Sequence, residues 1–207
     1  MKPLTLWLSL ALLAWACTSP KQNEQAEEET AQQTTTAAPE AEADRDKGTN
    51  DTHHQVSVLD SSIASPRKRM TATLDGLGVE VVYGSPSVKG RTIWGELVPY
   101  GEVWRTGANE ATTISFDQDV TVAGEPLPAG TYAFFTLPDK SEWTLIFNGE
   151  PEQFGAFEYE ENQDVLRVQV SPKAGVAMSE TMEFAVQGDQ LVLLWDRLMV
   201  PIPVKKA

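Results

Sequence analysis

Fifteen consecutive residues, Val98 to Thr112, concentrate side chains that could do chemistry. Tyr100, Trp104, Arg105, Asn109 and Glu110 fall inside the run, with Gly101 and Gly107 flanking Trp104 and with Lys89, Arg91 and Trp94 just upstream. Arginine carries a planar fork of donors that can hold a carboxylate, or several carbonyls, in one geometry. Asn109 and Glu110 add polar arms, and the aromatic faces supply walls of the kind a small-molecule pocket needs. Such faces also stack on the apolar side of sugar rings while polar arms take the hydroxyls. Lys89, Arg91, Trp94, Tyr100, Trp104, Arg105, Asn109 and Glu110 are therefore the candidate ligand-binding residues, for a small molecule, a glycan or an envelope partner.

The same residues admit a structural reading. Trp104 is too large and apolar to be left idle in water and is of a type that fills β-domain cores. Gly101 and Gly107 would free φ where the chain turns. Lys89, Arg91 and Arg105 could pair with Glu96, Glu102 and Glu110 and pin a long loop, although exposed pairs contribute only about 0–1 kcal/mol each. A pocket lined by Arg105, Asn109 and Glu110 would favour binding or hydrolysis, and a closed, dry core around them would favour a purely structural protein. Trp143 and Trp195 sit in clean strand alternation and are assigned to the core.

Several chemistries are excluded on residue type. Cys17 is the only cysteine, so no internal disulfide, thiol nucleophile or cysteine-based zinc site is available. His53 and His54 are the only histidines, and both fall in the expected tether. A domain starting at Val56 thus has no Ser-His-Asp triad, no histidine base and no histidine-ligated metal. No metal and no cofactor is expected, and the reading leans away from an enzyme. What catalysis remains would use carboxylates, Lys, Tyr or Ser. Glycoside hydrolysis needs two carboxyls roughly 5–10 Å apart. Glu110 with Asp117, or Glu158 to Glu161 with Asp164, are the pairs the sequence offers. The Glu158–Asp164 stretch also has oxygen ligands for calcium but lacks the Asp-x-Asp-x-Asp-Gly spacing, and reads as a solvated hairpin loop. A net charge of −14 argues against nucleic acid or anionic lipid as a partner.

The elements that must position these residues begin after an export segment. Lys2 and the apolar run Leu4 to Ala16 read as a signal too short to cross a bilayer as a mature helix. It ends in Leu13-Ala14-Trp15-Ala16-Cys17, which resembles a bacterial lipobox. Residues 1–17 are thus a lipoprotein signal, with Cys17 the lipidation site and membrane anchor of an exported protein of the cell envelope, at the outer membrane. Residues 18–55 are acidic, rich in Gln, Glu, Thr and Ala, and too poor in apolar side chains to fold. Residues 56–207 form one domain by length. Period-two segments recur there: 80–83, 111–116, 120–122, 131–137, 143–147, 165–170, 182–186, 191–195 and 200–204. Fourteen glycines and thirteen prolines punctuate the chain, and only Arg91 to Val98 suggests a short helical turn. The expected fold is all-β, an antiparallel β-sandwich of jelly-roll-like or Ig-like type with one wet and one dry face per sheet; a closed barrel is the alternative. Pro201 and Pro203 should place the last strand at an edge.

From Ser65 to Val204 the chain resembles an uncharacterised bacterial family, domain-of-unknown-function family 2911. The resemblance is carried by Ser85-Pro-Ser-Val-Lys-Gly-Arg91, Trp94-Gly95, Pro99 to Thr112, Leu127-Pro-Ala-Gly-Thr-Tyr132, Glu142-Trp-Thr-Leu-Ile-Phe147 and Asp164-Val-Leu-Arg-Val168. It implies an exported, all-β domain common in Bacteroidota. It implies no activity and no catalytic residue.

Overall fold

The computed structural model describes residues 54–207. The expected signal, Cys17 and the tether as far as His53 lie outside the described residues. Twelve strands and one 3-10 turn, Glu161–Gln163, make up the regular structure of the described residues. In chain order the strands are β1 His54–Asp60, β2 Arg67–Leu74, β3 Leu77–Gly84, β4 Thr112–Phe116, β5 Val120–Val122, β6 Glu125–Leu127, β7 Gly130–Leu137, β8 Trp143–Asn148, β9 Asp164–Val170, β10 Lys173–Gln187, β11 Gln190–Ile202 and β12 Val204–Lys206.

Seven strands form one antiparallel sheet in the order β1-β2-β3-β4-β7-β8-β9. The long hairpin β10-β11 and the small sheet β12-β5-β6 complete the molecule. The sheets stay open, so the fold is a sandwich and not a barrel. Local chemistry sets the hairpins. Asp75-Gly76 joins β2 to β3 with φ of 49° and 78°, and Leu74 faces Leu77 across the turn. Two consecutive positive φ values match the right-handed twist of the flanking strands. Ala123-Gly124 does the same between β5 and β6. The second of these strands, β6, falls between the period-two segments 120–122 and 131–137.

Every segment with clean alternation is a strand. Alternation puts Val79, Val81 and Tyr83, then Ile114 and Phe116, then Leu145 and Phe147, into one core shared by all three sheets. A fully buried side chain of this size stabilises by about 1.5–3 kcal/mol. Trp143 and Trp195 are both 1% exposed, as their strand positions required. β12 lies at an edge, beside β5, and Pro203 sits between it and β11.

Three expectations are corrected. Strand β1 starts at His54, so one histidine belongs to the sheet, where its Nδ1 accepts the Val186 N–H at 3.4 Å. Alternation was hard to read in β1 because Val56, Val58 and Leu59 are all exposed. Arg91 to Val98 forms no helix. Gly95 takes φ +89°, Val98 N–H bonds the Ile93 carbonyl at 2.9 Å, and Trp94 bridges Val98. The large sheet is also not wet on its whole outer face. Ala111, Ala133, Phe135 and Ile146 form a second buried cluster there, with Ala156 and Tyr159 of the loop between β8 and β9 packed against it.

Candidate functional site

Trp104 and Thr136 exchange backbone hydrogen bonds of 2.8 and 2.9 Å, which fixes the candidate motif against β7. Trp104 then turns inward, 9% exposed, and stacks on Trp195 at 5.8 Å. Trp94 meets Trp104, Trp143 and Trp195 edge-on at 5.9, 5.1 and 5.6 Å. The aromatic faces offered for sugar stacking are thus mostly spent on one another: Trp94 and Trp104 belong to a four-tryptophan cluster of the core. Tyr100 is half-buried and lies over Gly95, where an added Cβ would come within 3.0 Å of its ring.

The turn after Trp104 is held tightly. Thr106 is fully buried at φ 53°, and its Oγ1 bonds Thr136 Oγ1 at 3.1 Å. Thr112 Oγ1 donates to the Thr106 carbonyl at 2.8 Å. Gly107 was expected to free φ, yet the positive φ values fall on Thr106 and Asn109 instead. The need at Gly107 is space: a Cβ would lie 2.9 Å from Thr112 Oγ1 and 3.1 Å from the Gly84 carbonyl oxygen. Gly84 is tighter still, since its Cβ would lie 2.1 Å from the Ala108 carbonyl oxygen.

The structure does not gather all eight candidates into one site. Lys89 and Arg91 are exposed and belong to a loop docked on β10: Val88 N–H bonds the Glu180 carbonyl, Lys89 N–H bonds Glu180 Oε1 at 2.9 Å, and Arg91 caps the carbonyls of Ser87 and Val88. The expected ion pairs with Glu96 and Glu102 are not among those of the described residues, and Glu110 pairs with Arg67 at 3.4 Å instead. Arg105 is half-buried, and burial pushes its pKa down. Asn109 donates to the Ser65 carbonyl at 3.4 Å and accepts the Gly155 N–H at 3.1 Å.

Asn109 to Ala111 therefore line up with residues 153–155 of the loop between β8 and β9. Glu110 bridges Phe154, and Ala111 N–H bonds the Gln153 carbonyl at 3.0 Å. Between this loop and the sheet runs a groove of about 560 Å³ walled by Arg67, Glu110, Thr113, Thr131, Gln153 and Phe154. Arg105 and Asn109 are not in its wall. Of the residues singled out in the sequence, Glu110 and the carboxylate candidate Glu158 are there; Arg67, Gln153 and Phe154 were missed. The loop's shape comes from Asn148, fully buried, which bonds the Glu160 carbonyl, Asp164 Oδ1, Glu150 N–H and Gln153 Nε2. Gln153 is 6% exposed, and its Oε1 has no hydrogen-bond partner.

The carboxylates named in the sequence are either far apart or engaged by other groups. Glu110 and Asp117 flank opposite ends of β4, about 20 Å apart by strand rise. Asp164 accepts from Tyr159 at 2.6 Å and from Arg167 at 3.0 Å, and Glu158 accepts the Phe154 N–H at 2.8 Å. No group of three or more His, Cys, Asp or Glu side chains able to hold a metal ion occurs among the described residues. No helix among the described residues is long and apolar enough to cross a membrane.

Residues 65–204 match one family model, described as "Protein of unknown function (DUF2911)". No curated protein and no solved structure is similar enough to match.

Proposed function

The chain belongs to the DUF2911 family, and from that premise we propose that it is a lipid-anchored envelope protein whose β-sandwich is a non-catalytic binding module. Its binding face is the groove beside the loop that joins β8 to β9, and its ligand is a small hydroxyl-rich molecule or glycan. One observation carries this reading: the wall of that groove contains Gln153, buried, with Oε1 unpartnered. Its amide nitrogen already donates to Asn148 Oδ1 and the Glu150 carbonyl at 2.9 and 2.6 Å, so the free oxygen is left to accept from elsewhere. A buried acceptor without a donor costs about 1–3 kcal/mol. That oxygen is closed to solvent, so a ligand hydroxyl removes the cost by drawing the Gln153 side chain towards the groove.

The rest of the wall suits the same ligand. Arg67 and Glu110 offer donors and an acceptor side by side, Thr113 and Thr131 add hydroxyls, and Phe154, 60% exposed, supplies an apolar face. Two of the carboxylates in its wall are engaged, Glu110 by Arg67 and Glu158 by the Phe154 N–H, which favours binding over acid–base catalysis there. Lipid anchoring rests on Leu13 to Cys17.

Calorimetric titration of the full chain with glucose, galactose and N-acetylglucosamine tests the binding face. Saturable heat from one sugar, lost in Phe154→Ala, supports it; flat titrations with all three count against it. Labelling cells with an alkyne fatty acid tests the anchor: the label should enter the native chain and be absent from Cys17→Ser.

A further inference from the structure

Three cationic side chains are half-buried among the described residues: Arg67, Lys68 and Arg105. Arg67 faces Glu110 at 3.4 Å and Lys68 faces Glu183 at 3.6 Å. Arg105 differs. Among the described residues its guanidinium meets neither a carboxylate nor any hydrogen-bond acceptor, and its Nε is buried with no partner. A desolvated charged donor with nothing to donate to is unfavourable, and native proteins rarely retain one without a use.

The turn that presents this arginine is rigid and strained. Thr106 is β-branched and fully buried, yet takes φ 53°, a conformation that costs a non-glycine residue about 1–3 kcal/mol. Hydrogen bonds hold it there: Oγ1 reaches Thr136 Oγ1 at 3.1 Å and the Trp104 carbonyl at 3.3 Å, and Thr112 Oγ1 reaches the Thr106 carbonyl at 2.8 Å. Trp104 Nε1 closes the turn on the Gly107 carbonyl at 3.2 Å, and Thr112 N–H takes the Arg105 carbonyl at 3.2 Å. None of these bonds uses the guanidinium. Arg105 is held by its neighbours and holds nothing itself.

We propose that Arg105 is the receptor for an oxyanion, the carboxylate or phosphate group of a small molecule from outside the chain. The planar fork accepts such a group through two parallel hydrogen bonds, and a backbone turn fixed in advance leaves only the side chain to be ordered on binding. With a net charge of −14 the protein's overall field repels anions, so recognition depends on the fork itself. The proposal does not rest on the groove. A chain that takes an oxyanion at Arg105 and no sugar sustains it, and a chain that does the reverse overturns it alone.

The test follows the Arg105 Nε–H signal by NMR in the ¹⁵N-labelled full chain. Sodium acetate and sodium phosphate are added at ionic strength held constant with sodium chloride. Exposed Arg197 is the internal reference. The expected result is a saturable movement of the Arg105 signal alone. Movement with phosphate only identifies a phosphoryl ligand, and movement with acetate a carboxylate. Arg105→Lys keeps the charge but loses the fork, and should weaken binding of the effective anion about tenfold in calorimetry. An Arg105 signal that moves no more than that of Arg197 with either anion, or equal anion binding by Arg105→Lys, would overturn the proposal.

Discussion

Trp104 and Trp195 stack with ring centroids 5.8 Å apart and planes inclined by 18°. The contact joins the candidate motif to β11 and is surrounded by Trp94 and Trp143. Trp104→Ala would leave a cavity in the middle of this group, and such truncations cost about 3–5 kcal/mol. Urea unfolding measures the loss, and near-ultraviolet dichroism should fall with it. A cost below about 1 kcal/mol would show that the cluster is not central to the core.

The close approach of Gly84 to Ala108 makes a sharper prediction. A Cβ at Gly84 would lie 2.1 Å from a backbone oxygen that cannot step aside, so Gly84→Ala should abolish folding or shift the whole Thr106 turn. Gly90, with φ +68° and open space around it, is the control: Gly90→Ala should cost only about 1 kcal/mol. Thermal melts of the two variants distinguish steric need from conformational need.

Asn148 holds the loop that covers Phe135. Asn148→Ala removes four hydrogen bonds at a fully buried position and should cost about 2–4 kcal/mol. The effect should be local first. A glutamate-specific protease should then cut at Glu152 or Glu158 faster than in the native chain, before global unfolding. Equal cutting rates would mean that the loop is fastened elsewhere.

Tyr83 is 1% exposed and packs edge-on against Phe184 at 4.9 Å. Burial pushes its pKa up to about 12, from an ordinary value near 10. Above pH 10 the unfolded chain releases this proton and the folded chain keeps it. Stability is therefore complete below about pH 10 and falls as pH rises towards about 12, by on the order of 2–3 kcal/mol from this group. Tyr159, also raised by burial and by its bond to Asp164, acts with the same sign. Tyr83→Phe should flatten part of the alkaline loss seen in denaturant unfolding. An unchanged slope would mean that Tyr83 ionises as freely in the folded state.

Much of the fold was legible without coordinates because strand signals are local. Alternation at Val79 to Tyr83 or Trp143 to Phe147 needs only neighbouring residues, since successive side chains point to opposite faces. The expected last strand, 200–204, is divided at Pro203: Val200 to Ile202 end β11, and Val204 opens β12, which lies at an edge and holds no proline. Where both faces of a strand share one environment, the pattern fails. Val56 to Leu59 in β1 is exposed throughout and was not read as a strand, whereas 131–137 was, even though β7 buries both Phe134 and Phe135. β2, Arg67–Leu74, lies outside the period-two segments read from the sequence, although Met70, Ala72 and Leu74 alternate inward.

The candidate site was less legible because partners are chosen across the sheets. Composition alone identified Trp104, Arg105, Asn109 and Glu110 as unusual. It could not show that Glu110 would meet Arg67, that Gly107 is a glycine for lack of room beside Gly84, or that Gln153 would be buried with a free acceptor. The sequence by itself determined most of the strands, the exclusion of cysteine chemistry and the residues worth watching, since these follow from side-chain type and period. Only the tertiary structure decided which of those residues face one another and which polar atoms are left without partners. Contact and desolvation depend on elements far apart in the chain, and no local pattern encodes them.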